Sequence, residues 1–425
     1  MIPQKKIFTC ALLAMCLPMA PLGAAGFNIY EQGGKASGLA GAWVAQADDA
    51  AANWYNPAAL VWLDGSEIQF GTNLITAGAD TEFTSSDPRF GLFTETTFEM
   101  ESNLGTPSHL YYSQKINDNF AWGVGINNPY GLVTEWVDRP VTFSAGKSEL
   151  ATFFVNPNLA MRLTQTWSLG IGVSYVYADL KDFGREIPID LDGNPLNGFE
   201  VIGSSNLSGD GNDIGWNLAL HHKGNGYSFG FTYRSDVTVD IDGAIEFSNF
   251  GPLAPFFASS PGSAPLKLPD TAAIGLAWVS GNGAWTYEVD VAWSGWSVFD
   301  TLDVDIDNNV PGFVDDISLR EDWDDTMSYR FGATRRTSTG HEWRFGFVFD
   351  EQAVPADTLR PSIPDAERFG PTFGYGRNGN KWNIDVYYFP LFIEDSTAIG
   401  FEEGVIEGEF SSFVHLAGVT FRRTF

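Results

Sequence analysis

Few residues in this sequence have types and placements that could do chemistry. Lys181, Arg234, Arg330 and Arg360 could each hold a carboxylate, provided the fold buries them within reach of a ligand. By the strand alternation described below, Arg234 and Arg330 face inward. Inward arginines also pair with acidic neighbours such as Glu288 or Asp290, which is a purely structural use. Leu253, Phe256 and Phe257 belong to an apolar cluster at residues 250–258, on a segment that should face water. Exposed apolar patches mark interaction sites, although the same residues could pack as a lid on neighbouring loops. Other signals fail on inspection. The five histidines (His109, His221, His222, His341, His415) lack metal-ligand spacing, and no Ser/His/Asp set is identifiable. Asp303, Asp305 and Asp307 start like a calcium loop but lack Gly at the sixth position and have Val314 at the twelfth. Alternation with Leu302, Val304 and Ile306 reads instead as a projecting hairpin. Gly146-Lys147-Ser148 has Val141 where a phosphate loop needs Gly. No cofactor, no metal site and no enzyme activity are expected.

The start of the chain carries Lys5-Lys6, an apolar run from Ile7 to Met19 and then Gly23-Ala24-Ala25. This reads as a secretory signal peptide, residues 1–25. A lipoprotein signal at Cys16 is the rival, against which Met15 is too bulky for the position before a lipidated Cys. Cys10 and Cys16 are the two cysteines, and both fall in the removed segment, so the mature chain is expected to hold no thiol or disulfide. The net charge of -29 becomes more negative once Lys5 and Lys6 are gone. Such a balance repels nucleic acid. It suits acidic loops on an outer surface where divalent cations are present, or loops simply kept soluble by charge.

The elements that would position these residues show as alternation from Ser66 onward. Trp285, Tyr287, Val289, Val291 and Trp293 share one face, with Thr286, Glu288, Asp290 and Ala292 behind them. Tyr227, Phe229, Phe231 and Tyr233 oppose Ser228, Gly230, Thr232 and Arg234 in the same way. Aromatics make up 15% of the chain, with 46 glycines, yet past the signal segment no apolar run reaches the roughly 18 residues of a membrane helix. Fourteen alternating segments can be counted, with tight turns after the even-numbered ones, such as Gly224-Asn225-Gly226 and Gly281-Asn282-Gly283. Long connections follow the odd-numbered ones, near 77–106, 135–149, 183–211, 242–270, 295–325, 351–368 and 392–410. Short and long turns in strict alternation on an even strand count are the layout of an outer-membrane barrel. Phe425 ends the last alternating strand, as such barrels commonly do. The expectation is all-β: a 14-stranded antiparallel transmembrane β-barrel, residues 63–425, in the outer membrane of a Gram-negative bacterium.

A lumen of that width needs filling or it conducts water. Residues 26–62 lack strand alternation and have the composition of a plug: Gly33, Gly34, Gly38 and Gly41 permit tight bends, while Trp54 and Tyr55 can anchor on polar strand faces. A periplasmic extension is the other reading, opposed by Asn56-Pro57, which favours a defined turn before the first strand.

Ala47-Asp48-Asp49-Ala50, followed by Asn53 and Asn56-Pro57-Ala58-Ala59-Leu60, resembles the N-terminal hatch of outer-membrane transporters for long-chain fatty acids and other hydrophobic compounds, the FadL/TodX (OmpP1) family. Asn128-Pro129-Tyr130-Gly131, Asn156-Pro157-Asn158, Trp293-Ser294-Gly295-Trp296, Phe349-Asp350 and Ile363-Pro364-Asp365 before Arg368-Phe369 follow in the family's order. The resemblance implies passive uptake of a fatty acid or hydrocarbon by loop capture, hatch movement and lateral exit. It implies a hatch signature at Asn53, Asn56, Pro57 and Ala58. It also implies an inward kink at Asn128, Pro129, Tyr130 and Gly131 that opens the wall, where the residues alone would also suit a strand-end turn. Leu253, Phe256 and Phe257 become candidates for first contact. Asp324-Asp325 stands where the family is expected to supply a Lys, which leaves room for neutral ligands. The partners expected are the hydrophobic ligand and outer-membrane lipid with lipopolysaccharide, around a monomer. The alternatives are a general porin for small polar solutes, and a surface adhesin or structural barrel.

Overall fold

The computed structural model describes residues 26–84, 97–194, 198–307, 317–379, 381–399 and 407–425. The expected signal segment, 1–25, lies outside the described residues. A strand that is apolar on one side and polar on the other needs oil against one face and a polar filling against the other. Fourteen antiparallel strands meet that need together. They are Ser66–Thr84 (β1), Ser108–Lys115 (β2), Phe120–Asn127 (β3), Lys147–Arg162 (β4), Trp167–Ile189 (β5), Val201–Lys223 (β6) and Tyr227–Arg234 (β7). The second half is Thr271–Val279 (β8), Trp285–Ser294 (β9), Thr326–Arg336 (β10), His341–Asp350 (β11), Arg368–Asn378 (β12), Asn383–Ala398 (β13) and Glu407–Thr424 (β14). Each pairs with the next, and β14 pairs back onto β1 from Glu67↔Thr424 to Thr84↔Glu407, which closes the ring. Phe70, Trp122, Trp216, Ile274, Phe347 and Phe373 are exposed on the outer face, while Asn156, Asn217, Arg344 and Asp385 are buried on the inner one. Among the described residues no helix is long and apolar enough to cross a membrane.

The tight turns lie at one end. Gly226, Gly283 and Gly340 take φ of 83°, 71° and 79° there, which glycine adopts without the clash a Cβ would bring. At the other end the strands run further than the alternation suggests. Residues 183–211, expected as a loop, are largely strand, because β5 and β6 stay paired out to Ile189↔Val201. Val237–Ser248 pairs with this extension and with Ser260–Leu268, and Thr301–Ile306 pairs with Ile317–Arg320 as the projecting hairpin. Above the membrane neither face meets lipid, so the period-two pattern fades while backbone pairing continues. Leu207, Ile245, Ala264, Val304 and Ile306 form a small core among these extensions.

Residues 26–62 fill the lumen in short turns: helices Gly34–Ser37 and Ala52–Tyr55, then the 3-10 helix Pro57–Trp62. The Asn56 side chain accepts the Ala58 N–H at 3.2 Å and caps that last turn, with Pro57 at its first position, where no N–H is needed. Four successive backbone donors reach the wall strand β9. Trp43 and Val44 N–H bond Asp290 at 2.8 and 3.0 Å, and Ala45 and Gln46 N–H bond Glu288 at 2.6 and 3.0 Å. Ala50 N–H bonds Glu67 of β1 at 2.7 Å, and Asp48 joins Lys35 at 2.6 Å and Arg336 of β10 at 3.2 Å. The inner wall is thinned by glycine where the plug backbone comes closest: a side chain at Gly230 would meet Val44, and one at Gly346 would meet Leu39 and Ala40.

Replacing both anchors, Glu288→Ala with Asp290→Ala, leaves three buried N–H donors and the half-buried one of Gln46 without acceptors, at about 1–3 kcal/mol for each buried donor. The barrel is expected to keep the mobility of a folded form in unheated gels while the plug loosens. Ion conductance in planar bilayers should rise above the wild-type level; an unchanged conductance would place the anchor elsewhere.

Candidate functional site: a chamber that reaches the outer wall

Strand β3 ends at Asn127, and residues 128–130 leave the ladder before the chain resumes as Gly131–Glu135 along β4. Pro129 has no N–H to give a neighbour, so the ladder cannot run through it. The freed groups find other partners. Tyr130 N–H donates to Thr152 Oγ1 at 3.1 Å, Thr152 Oγ1 donates to the Tyr130 carbonyl at 2.7 Å, and Asn128 Nδ2 donates to the Thr152 carbonyl at 2.6 Å. The first residues of the plug supply the rest: Ile29 N–H bonds the Pro129 carbonyl at 2.7 Å and Gly131 N–H bonds the Phe27 carbonyl at 3.1 Å. Asn28 and Tyr130 thereby form an antiparallel bridge. The end of the plug stands in as a fragment of strand at the break.

A cavity of about 570 Å³ lies behind this break, within the usual range for small-molecule sites of roughly 300–1,000 Å³. It extends from the inner wall past the plug arm to Leu104, Phe153 and Lys181 near the outside. Its inner side is apolar: Val348, Phe389, Leu391 and Leu416 are buried together, with Ile75 and Val414 against them. Beside the cavity, Phe27 is held edge-on by Trp296 at 4.8 Å and by Trp323 at 5.8 Å, in an aromatic cluster with Phe299 and Tyr130. The polar end holds Arg330, whose guanidinium lies 3.8 Å over the Tyr30 ring. Arg330 Nη2 makes no hydrogen bond, with Asp350 at 3.9 Å, while Arg368 Nε lies 3.4 Å from the same carboxylate.

Of the four cations expected to read a ligand, the structure therefore brings Arg330 to the cavity and places Lys181 at its outer mouth, half-exposed and 2.6 Å from Glu149. Arg234 is a correction. It faces inward as parity requires, but stacks 3.9 Å over Trp54 and donates to the Trp54 carbonyl at 3.3 Å, so it grips the plug rather than the cavity. Arg360 is another: it pairs with Glu321 and donates to the Arg320 carbonyl at 2.9 Å, tying outer loops together. Burial pushes the Glu321 carboxyl up, opposed by Arg360 and the Trp323 N–H. Glu288 and Asp290, expected as partners of inward arginines, are taken by plug N–H groups instead.

Leu253, Phe256 and Phe257 sit at the tip of the outer hairpin, on or just after the 3-10 turn Gly251–Phe256, and none of them lines the cavity. Phe257 stacks on Phe250 at 3.6 Å, whereas Phe256 is 48% exposed. Asn53, Asn56, Pro57 and Ala58 are all buried deeper in the lumen, where Asn53 Nδ2 donates to the Tyr112 carbonyl and Asn158 Nδ2 to the Asn53 carbonyl, both at 3.1 Å. Asp325 accepts the Ser297 N–H at 3.0 Å, so the acidic pair before β10 is used in loop structure. Asp190, Asp192 and Glu200 come together on an exposed turn, a grouping the sequence reading missed, and accept the N–H groups of Gly193, Asn194 and Leu191. Arg368, Phe389 and Leu391 were also missed. The signal for Phe389 and Leu391 was present in β13, where Tyr387, Phe389 and Leu391 face in while Val386, Tyr388 and Phe392 face out. A barrel strand that is apolar on both faces has something oily to hold inside.

A closed, plugged barrel with an apolar outer face and an apolar chamber that breaches its wall is the architecture of an outer-membrane channel. Residues 19–425 match the family described as outer membrane protein transport protein (OMPP1/FadL/TodX), and the chain belongs to that family. The long-chain fatty acid transport protein of Escherichia coli strain K12 is 27% identical, with 99% of this chain and 100% of that one covered. The crystal structure of a Pseudomonas aeruginosa FadL homologue superposes with a TM-score of 0.83 at 17% identity, covering 94% of this chain and 100% of that one. The Pseudomonas putida toluene transporter TodX gives 0.71 at 16% identity, covering 95% and 99%.

Leu391→Glu sets a carboxylate into the apolar wall of the chamber, where burying it unpaired is costly. Binding of a fluorescent acyl probe is expected to weaken at least about tenfold, about 1.4 kcal/mol, with heat-modifiable gel mobility retained. Unaltered binding would remove β13 from the ligand path.

Proposed function

We propose that this protein takes hydrophobic molecules passively across the outer membrane, as the similar fatty acid and toluene transporters are named for doing. The solute is captured between the outer loops, with the exposed Phe256 among the first groups it meets. It then rests in the chamber and leaves sideways through the break at residues 128–131 after the plug arm moves. The observation that carries this reading is a cavity that joins the apolar patch of Val348, Phe389, Leu391 and Leu416 to the wall break. Lateral release follows from the solute's own chemistry, since each CH₂ kept out of water is worth roughly 0.8 kcal/mol. No covalent step is needed, and the driving force is partition into lipid.

Arg330 is the residue proposed to read a polar head. Its free Nη2 can donate to a carboxylate or to a neutral oxygen, and Asp350 beside it offsets part of its charge. Residues 1–25 act as the signal peptide, 26–62 as the hatch and 63–425 as the barrel, which works as a monomer among outer-membrane lipid and lipopolysaccharide.

The test is mass spectrometry of compounds extracted from the protein purified out of its native membrane, beside Arg330→Met. A stoichiometric fatty acid in the wild type that is lost in Arg330→Met is the expected result for an anionic ligand; neutral hydrocarbons retained by both identify a head-independent site. An empty protein that conducts ions steadily in planar bilayers with the plug intact would replace this reading with a porin.

A further inference from the structure

Cations are scarce in this acidic chain, yet four of them collect on the outer face at the tight-turn end. Arg335 lies opposite Trp285 in the β9–β10 register, Arg377 follows Phe373 and Tyr375 along the lipid-facing side of β12, and Arg423 follows Phe421 on β14. Lys381 is exposed in the turn between β12 and β13. Arg335 lies 5.4 Å over Trp285, and Arg423 lies 5.6 Å over Trp382 and 4.7 Å over Phe425. Arg377 donates to the Thr339 carbonyl at 2.6 Å and contacts His341 Nε2 at 2.7 Å. Among the described residues none of the four is joined to a carboxylate.

The stretch of the ring from β2 to β6 is built differently. Near the same rim, Lys115 of β2 pairs with Asp118 at 3.3 Å and Asp64 at 3.8 Å, while Arg162 of β4 and Lys223 of β6 turn to Trp62 of the plug at 4.4 and 5.9 Å. Their outward neighbours, Trp122, Leu163 and Trp167, bring no charge. In a ring of fourteen strands, β3 with its break lies seven strands from β10 and three from β14, outside the cationic arc.

We infer that the rim of β10–β14 binds the phosphate groups of anionic phospholipids in the membrane leaflet at the tight-turn end. The charge is complementary and the placement fits: aromatic side chains belong at the headgroup level, and a Lys or Arg near an anionic lipid surface is drawn to it. A planar guanidinium beside a ring can bond two phosphate oxygens while the ring meets the first carbons of the acyl chains. The arc holds headgroups along β10–β14 and leaves the exit at the β3 break free of bound headgroups. That consequence, though not the lipid site itself, rests on the lateral exit proposed above.

The full-length protein is equilibrated in detergent with equal amounts of phosphatidylglycerol and phosphatidylcholine, and retained lipid is counted by native mass spectrometry. The wild type is expected to retain phosphatidylglycerol several-fold over phosphatidylcholine. Arg377→Gln with Lys381→Gln and Arg423→Gln should bring the ratio most of the way to parity, whereas Lys115→Gln with Lys223→Gln should leave it unchanged. Gel mobility reports the folded barrel, and the exposed single variants Arg335→Gln and Lys381→Gln give partial losses should the triple variant fail to assemble. A wild type without preference, or a folded triple variant that keeps it, overturns the inference; so does loss of preference in the Lys115 and Lys223 variant alone. Acyl-probe binding is read on the same samples, and its persistence in the triple variant separates this site from the chamber.

Discussion

The structure depends on the seating of a backbone segment against buried carboxylates. The four N–H groups of residues 43–46 point one way, onto Glu288 and Asp290 of a single strand. A turn whose N–H groups converge makes a concave site for acceptor oxygens, and here the protein supplies the carboxyl oxygens from its own wall. The arrangement resolves two costs together. The carboxylates would be costly to bury alone, and the plug donors would be costly to bury unbonded. With this seat made, Asp48 can meet Lys35 and Arg336, Arg234 can close over Trp54, and the glycines of the wall let the backbone pass close by.

A plug fixed there leaves its first residues free for a second task. Residues 27–29 reach the break in β3 and bond the Pro129 carbonyl and the Gly131 N–H, which no neighbouring strand serves. The wall is thus completed by a piece of chain that is not part of the wall. Strand pairing closes a barrel firmly, whereas one isolated bridge held by two backbone hydrogen bonds is worth only about 1–3 kcal/mol. The apolar chamber lies directly behind this weakest seam, so a solute that fits it competes with the arm for the same space.

Much of this was legible in the sequence, for physical reasons. Lipid on one side and polar filling on the other impose a period of two, and that period located all fourteen strands and turned Arg330 inward. Pro129 cannot serve a ladder, yet the residues alone suited a strand-end turn equally, and the break was legible only through the family resemblance. Beyond the membrane the rule that makes strands visible no longer applies, and the paired extension up to Ile189 and Val201 read as loop. Partners across the lumen were not legible either. Nothing local says that Arg234 meets Trp54, that Arg360 meets Glu321, or that Glu288 and Asp290 would be occupied by backbone donors, because the N–H group is common to every residue but proline. Phe389 and Leu391 are a different case: their inward apolar face on an already apolar strand was a readable departure from the period.

The claim that the plug arm closes the wall is tested most directly by locking it there. Asn28 and Tyr130 are a non-hydrogen-bonded antiparallel pair, whose Cα separation of roughly 4.5 Å suits a disulfide. The sequence has no cysteine beyond Cys16, so Asn28→Cys with Tyr130→Cys places the only two thiols of residues 26–425 at this bridge. Uptake of a labelled hydrophobic solute by cells is measured before and after reduction. The expected result is uptake blocked while the bridge is intact and restored when it is reduced. Equal uptake in both states, with the bridge confirmed by mass, would show that the arm never has to leave the break.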